Sequence, residues 1–416
     1  MNNPSLSNRN LFLAPLWKSA FRPFYLFGVI YGLGVMGLWV GVNLGIIDFS
    51  LRGYTLSLWH GHEMVYGFSG AVVTGFVLTA LPGWAGTKEI SGPRLAFLLL
   101  LWLLGRVAVY SGGVMAPWAV LILDSSLFPT VMVMVLPGLL AAENKHYLAL
   151  LPILLMLFTG NVIFHLAVMD GDMVRAAWAI RVGLLGIMVK FIIAGGFLAT
   201  VFTGNALRQK NGPELGQVPL LEYISALTLT LFIYGALAEV PVRVSGMLAF
   251  IAAAVQLYRL LRWRTWLIFD APLVLAMHLS YLWFVIALML FGLADFTDRI
   301  GPMVWIHAFT IGALSMMMLS LITRVALRHT GRSLRPARAM LLSFGIMMLC
   351  ALLRVMVSLE ILATGWLAAI ALIWLLSFLI YLMLHGRMLL LPSLPRPKGT
   401  KGPKGPKGPK GQAAEI

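Results

Sequence analysis

Apolar stretches of about twenty residues recur along the whole chain, separated by short polar turns, and no other feature constrains the fold as much. A helix rising about 1.5 Å per residue needs about 20 apolar residues to cross a hydrocarbon core about 30 Å thick. Such stretches lie at 24–46, 60–81, 95–111, 116–140, 147–169 and 177–201, then at 219–238, 243–261, 271–294, 301–325, 337–358 and 365–386. The third is short, and the sixth is long enough to protrude or tilt. Hydrocarbon offers the backbone no partners, so each stretch must satisfy its own N–H and C=O groups as a helix. The expected fold class is therefore all-α, a polytopic integral membrane bundle of about 12 transmembrane helices forming a single domain over 1–394. Charged residues make up 11% of the 416, against about 25% in soluble domains. That leaves too little polar surface to cover a water-soluble particle.

The +16 net charge is distributed by loop, which turns it into an orientation signal. One side of the predicted bilayer carries Arg9, Lys18, Arg22, Lys88, Arg94, Lys145, Arg208, Lys210, Arg259, Arg262, Arg264, Arg324, Arg328, Arg332, Arg335, Arg338, Arg387 and Arg396. The other carries Arg52, Arg175, Arg243 and Arg299. The asymmetry predicts cytoplasmic N- and C-termini. It also accounts for the basic total without nucleic acid, and no nucleic-acid-binding fold interrupts the spans. The first span is too long for a cleavable signal and is expected to be retained. From Pro395 onward, Lys-Gly-Pro units recur through Lys410. This 395–416 tail is expected to be disordered and drawn to anionic lipid. The single cysteine, Cys350, excludes an internal disulfide or a thiolate cluster.

Ionisable groups inside a membrane are costly and mark function. Of the eight histidines, His146 and His385 fall at cytoplasmic span ends and are expected to be solvated. The others are His60, His62, His165, His278, His307 and His329. His60 and His62 enter the second span at its outer end, and His307 lies about 9 Å into the tenth. His165 ends the outward-running fifth span, so four histidines from three spans share one depth, while His278 lies on the inner side of the midplane. Two residues on a helix are about 200° apart, so His60 and His62 point to opposite faces and cannot share one metal on an intact helix. His60 shares its face with Glu63 and Gly67, and His62 shares its face with Tyr66 and Ser69. Asn161, one turn before His165, can face the same site. Imidazole is the usual axial ligand of a b-type haem and a common copper ligand. Arg106, Arg181, Lys190 and Arg354 also lie within spans, where they can snorkel, hold haem propionates or pair with a carboxylate such as Asp124. The 23 methionines, including Met316-Met317-Met318, read as packing residues.

These same residues carry a family resemblance. Phe21-Arg22-Pro23-Phe24, Trp59-His60-Gly61-His62-Glu63-Met64 through Gly67-Phe68, and Leu78-Thr79-Ala80 with Trp84 come first. His165, His278 with Tyr281 and Trp283, and His307-Ala308 with Thr310, Gly312 and Ala313 follow. Thr323-Arg324-Val325-Ala326-Leu327 then leads into His329-Thr330-Gly331-Arg332. In this order the segments resemble the NnrS family, haem- and copper-containing bacterial inner-membrane proteins linked to nitric oxide resistance. The resemblance covers nearly the whole chain except the tail. It implies haem b and copper, with His60, His62, His165, His278, His307 and His329 as candidate ligands and Glu63, Tyr66, Asn161 and Arg324 in support. It also implies an analogy to the twelve-helix haem–copper oxidases, in which helices two and ten supply haem ligands. One stretch departs from the pattern: Phe197 and Gly204 stand where the family carries arginine, and Thr200 where it carries proline.

The expected function is a haem–copper protein that binds or reduces nitric oxide, or another small diatomic ligand, with electrons from an unidentified donor. The competing expectation is a cofactor-free proton or metal transporter or channel that uses the intramembrane histidines. A third is a membrane chaperone for a metal centre in another complex.

Overall fold

A computed structural model describes residues 12, 14–49, 51, 53–216, 218–297 and 300–395. Arg9, Arg52, Arg299, Arg396 and the Lys-Gly-Pro tail lie outside these. Among the described residues, twelve long helical runs follow in order. They are α1 (Phe21–Asn43), α2 (Leu56–Ala85), α3 (Pro93–Tyr110), α4 (Pro117–Ala141) and α5 (Lys145–Met169). Next comes α6, which runs from Met173–Lys190 through Phe191–Gly195 into Gly196–Arg208. The second half comprises α7 (Pro219–Leu237), α8 (Val242–Arg262), α9 (Pro272–Phe296), α10 (Met303–His329), α11 (Arg338–Ser358) and α12 (Thr364–Leu390). Among the described residues, 11 helices are long and apolar enough to cross a membrane. The chain is thus a multi-pass membrane protein.

Parity makes α6 the twelfth crossing. Arg22, at the start of α1, donates to the carbonyls of Leu389 at 2.8 Å and Leu391 at 2.7 Å, and to the Ser393 hydroxyl at 2.9 Å. The first helix therefore begins on the face where the last one ends, and an odd number of crossings cannot achieve that. The α6 run is longer than the predicted 177–201. Past its end, Lys210 pairs with Asp270 in front of α9, and that ammonium holds the Asp270 carboxyl below its ordinary value.

Local chemistry explains the helix ends. Proline opens α3, α4, α7 and α9, where its missing N–H costs nothing. Thr55 accepts the Leu58 N–H at 3.2 Å in front of α2, and Asp172 accepts the Arg175 N–H at 2.9 Å in front of α6. The turn into α3 needs left-handed backbone, supplied by Gly86 at φ +67° and Gly92 at φ +60°.

Burial separates the helices by role. The most apolar window of α2 is 89% buried and that of α10 is 83%, against 67% or less for the other candidate spans. These two form the centre, and the rest face lipid on one side. Both central helices, and α6, contain a π-helical segment: Glu63–Ser69, Phe191–Gly195 and Ala308–Ser315. A π segment shifts the backbone pairing and frees groups that need outside partners. Trp102 meets that need in α2 by donating its indole N–H to the Gly67 carbonyl at 3.0 Å, and the Ser315 hydroxyl donates to the Thr310 carbonyl at 2.8 Å in α10. Met316, Met317 and Met318 are buried in the core, as packing residues would be. Cys350 is a buried free thiol that donates to the Ile370 carbonyl at 3.3 Å.

Candidate metal and cofactor sites

The four histidines expected at one depth separate into two places, and the opposite directions of His60 and His62 are the reason. His62 faces inward, where α1 to α5 each contribute to one buried polar cluster. Its Nδ1 lies 2.7 Å from Glu63 Oε1. Its Nε2 lies 2.8 Å from Asn161 Oδ1 and 3.2 Å from Asp124 Oδ2. His165 Nε2 approaches the same Asp124 oxygen at 2.8 Å. Asn161 donates its amide to that oxygen at 2.9 Å, which fixes the carboxylate plane. Arg106 lies between the acids, donating to Glu63 Oε2 at 2.6 Å and also to Asp124 Oδ1. Tyr31 of α1 donates its hydroxyl to Glu63 Oε2. The side chains of His62, Glu63 and Asp124 are fully buried.

Glycines make this density possible. A Cβ on Gly67 would lie 2.7 Å from the Tyr31 ring and 2.9 Å from an Arg106 nitrogen, and one on Gly105 would lie 2.9 Å from Asp124 Oδ1. Tyr66 is wedged against Gly160 and Gly183, with its hydroxyl on the Ala179 carbonyl at 2.9 Å and its ring 5.0 Å from His62.

Two carboxylates, one guanidinium and two neutral imidazoles leave the cluster with one net negative charge, which is costly in a low-dielectric interior. A cation among the ligand atoms, or a proton on a histidine, removes that cost. His62, Asp124 and His165 each present one ligand atom, all within 4.8 Å of one another. Ligands about 2.1 Å from a tetrahedral metal stand about 3.4 Å apart, so this set closes on a transition metal with small movements. The contact between His62 Nδ1 and Glu63 is the carboxylate support that commonly orients a ligating imidazole.

His60 faces the other way. Its Nδ1 is buried without a hydrogen-bond partner among the described residues, and its ring lies 5.3 Å from that of Trp39. His307 of α10 is within electrostatic reach of His60, and Arg354 of α11 acts on both. The Met303 carbonyl holds His307 Nδ1 at 2.8 Å, which leaves Nε2 for another partner. His60, His307 and Arg354 are all half-buried, so this second place opens outward where the first is sealed.

The remaining candidates stand elsewhere. Both nitrogens of His278 meet hydroxyls, Thr203 at 2.8 Å and Thr265 at 2.9 Å, and not a second imidazole or a carboxylate. His329 packs on Phe21 at 5.5 Å on the face of the termini, about 33 Å along α10 from His307. Arg324 stacks on Phe202 at 3.6 Å, also away from the cluster. His146 is exposed as expected. His385 is not solvated: it is 2% exposed and stacks on Tyr381, in a stretch of α12 that continues to Leu390 and packs along α1. Glu63 works with His62 rather than His60, since Arg106 and Tyr31 draw its carboxylate inward. Phe197 packs against Trp84, Thr200 bonds back to the Gly196 carbonyl at 3.0 Å, and Gly204 borders open space.

The family model described as NnrS protein matches residues 15–393, nearly the whole chain. The chain belongs to the NnrS family. No curated protein matches it. The Trp-His-Gly-His-Glu block that carries the resemblance is the segment that supplies both sites, with His60 to one and His62 to the other. Tyr31 gave no sign in the sequence. Asp124 and Arg106 did, as lone charges inside apolar spans.

Proposed function

We propose that this NnrS protein holds haem b between His60 and His307 and copper at His62, Asp124 and His165, and that it protects a bacterium by binding or reducing nitric oxide. The observation that carries the reading is the pair of half-buried imidazoles on the two central helices. One has a free buried nitrogen, and the other is oriented by a backbone carbonyl, as an axial ligand is. The Arg354 guanidinium supplies positive charge beside them, suited to a propionate. The inner cluster, with two imidazoles and oxygen donors, suits a divalent transition metal, and copper binds such sets most tightly. When bound, haem would supply an iron able to take up a diatomic ligand in place of one of the two imidazoles, and copper would supply a second ligand position and an electron relay. The protein's own part is to orient and to hold protons. Glu63 fixes the His62 tautomer, Asn161 and Arg106 fix Asp124, and the Tyr31 hydroxyl on Glu63 stores a proton at the edge of the cluster. The loop-charge asymmetry favours insertion in the inner membrane with both termini in the cytoplasm, and that puts the two sites in the periplasmic half.

The absorption spectrum of the detergent-purified protein tests this, before and after dithionite and then with nitric oxide. Soret and α bands that sharpen on reduction and shift with nitric oxide are expected. A folded, colourless, metal-free protein that conducts protons or metal ions in liposomes would replace this reading with that of a transporter.

A further inference from the structure

A cavity of about 240 Å³ lies between α6, α7, α9 and α10, and no residue assigned above to either histidine site lines it. Its wall is apolar over Leu185, Ala236, Phe291 and Trp305, and it carries two charges, Arg181 and Asp295. Arg181 acts electrostatically on Asp295 but does not reach ion-pair contact with it. The Arg181 guanidinium has no hydrogen bond or ion pair with any described residue, and the Ser245 side chain lies near the Asp295 carboxylate. A guanidinium has five donors and a carboxylate about four acceptor positions, so most of both groups' capacity points into unfilled space. A ligand that bridges the two charges would replace solvent at both of these partly exposed groups.

The ligand is defined by complementarity: an anionic group for Arg181, an amine for Asp295, and apolar mass for Phe291 and Trp305. The cavity sits where α7 and α9 end and α10 begins, at the level of lipid head groups. Its surroundings include Leu293, Phe296 and Met303, which are 38%, 45% and 48% exposed and form an apolar surface for acyl chains. Trp178, one turn before Arg181 in α6, donates to the Leu237 carbonyl where α7 ends, whereas Asp295 is next to the last residue of α9, so Arg181 lies about one turn inside that end of the bundle. The cation is therefore deeper than the carboxylate, matching a lipid whose phosphate precedes its amine on the way out of the bilayer.

We propose that this cavity binds the phosphate–amine head group of a phosphatidylethanolamine-type lipid, with the phosphate on Arg181 and the ammonium on Asp295. A primary ammonium donates hydrogen bonds to Asp295, which a choline head group cannot do, so the site discriminates between two lipids of equal charge.

Native mass spectrometry of the full chain, released from nanodiscs containing equal amounts of phosphatidylethanolamine and phosphatidylcholine, tests the assignment. One ethanolamine lipid retained per chain is expected, with at least tenfold preference over choline lipid. Asp295→Asn should equalise the two lipids. Arg181→Gln should reduce retention of both about tenfold, and Arg181→Lys should keep the preference. Both side chains are partly exposed, and monodisperse elution with unchanged helical circular dichroism shows that each variant is folded. Equal retention of the two lipids by the parent protein would overturn the proposal, as would Asp295→Asn and Arg181→Gln variants that retain lipid like the parent. Soluble glycerophosphoethanolamine serves as the control for a free zwitterion. Its binding at the site with no lipid retained would overturn the lipid source.

Discussion

Replacing Arg106 with methionine removes the only Lys or Arg side chain among the described residues of the inner cluster while preserving much of the side-chain volume. Arg106 donates to Glu63 at 2.6 Å and to Asp124, and both carboxylates are fully buried. Without it, two negative charges share one water-poor volume, bounded by the His62 and His165 imidazoles. Breaking one side of a buried ion pair typically costs about 3–5 kcal/mol, because a charge is left uncompensated. Here two charges are left, so the upper part of that range is expected. The triple variant Arg106→Met, Glu63→Gln, Asp124→Asn should recover most of the loss, since no bare charge remains. Denaturant unfolding in dodecylmaltoside micelles, followed by tryptophan fluorescence, measures both. A loss of under about 1 kcal/mol for Arg106→Met would mean that water reaches the carboxylates, and the argument from a sealed, net-negative cluster would fail. A second signature is independent of that magnitude: the extra negative charge should make the single variant's stability rise more steeply with added Cu²⁺ or Zn²⁺ than the parent's.

Other expectations follow from the same geometry. Gly67→Ala puts a methyl group 2.7 Å from the Tyr31 ring and 3.1 Å from Glu63 Oε2, and should cost about 1–3 kcal/mol in the same unfolding assay and lower the bound-metal content. His278→Ala takes the partner of the Thr265 hydroxyl and leaves Thr203 only its bond to the Ala199 carbonyl, which should destabilise by about 1–3 kcal/mol yet leave absorbance and metal content at parent values. Arg22→Met unties the start of α1 from the end of α12, and faster proteolysis after Leu391 should report it, with no change in the spectrum.

The number of crossings was legible from hydropathy because the constraint is local: a helix in lipid satisfies itself, and each segment announces its own length. The sixth crossing was legible despite Arg175, Arg181 and Lys190, since the largely apolar stretch 182–202 around Lys190 is long enough when taken together. The opposed directions of His60 and His62 were also legible, from helical periodicity. Partner choice was not. His62 meets His165, and His60 comes within electrostatic reach of His307, because of how α1, α3, α4, α5 and α11 pack around the two central helices, and sequence spacing does not encode that packing. Glu63 was expected beside His60 for the same reason. Its long side chain follows Arg106 and Tyr31, whose positions depend on α3 and α1. The π segments, which decide how the residues after His62 and His307 are aimed, depend on outside partners such as Trp102 and could not be read from Gly-rich composition. His385 was misjudged because α12 extends further than hydropathy alone required.

The central claim is that two distinct imidazole sites stand side by side. Haem absorbance and metal content, measured together on purified His307→Ala and His165→Ala proteins, test it most directly. The His307 variant should lose or shift the Soret band and keep its non-haem metal, and the His165 variant should do the reverse. Loss of both signals in each variant, or of neither, would contradict the division.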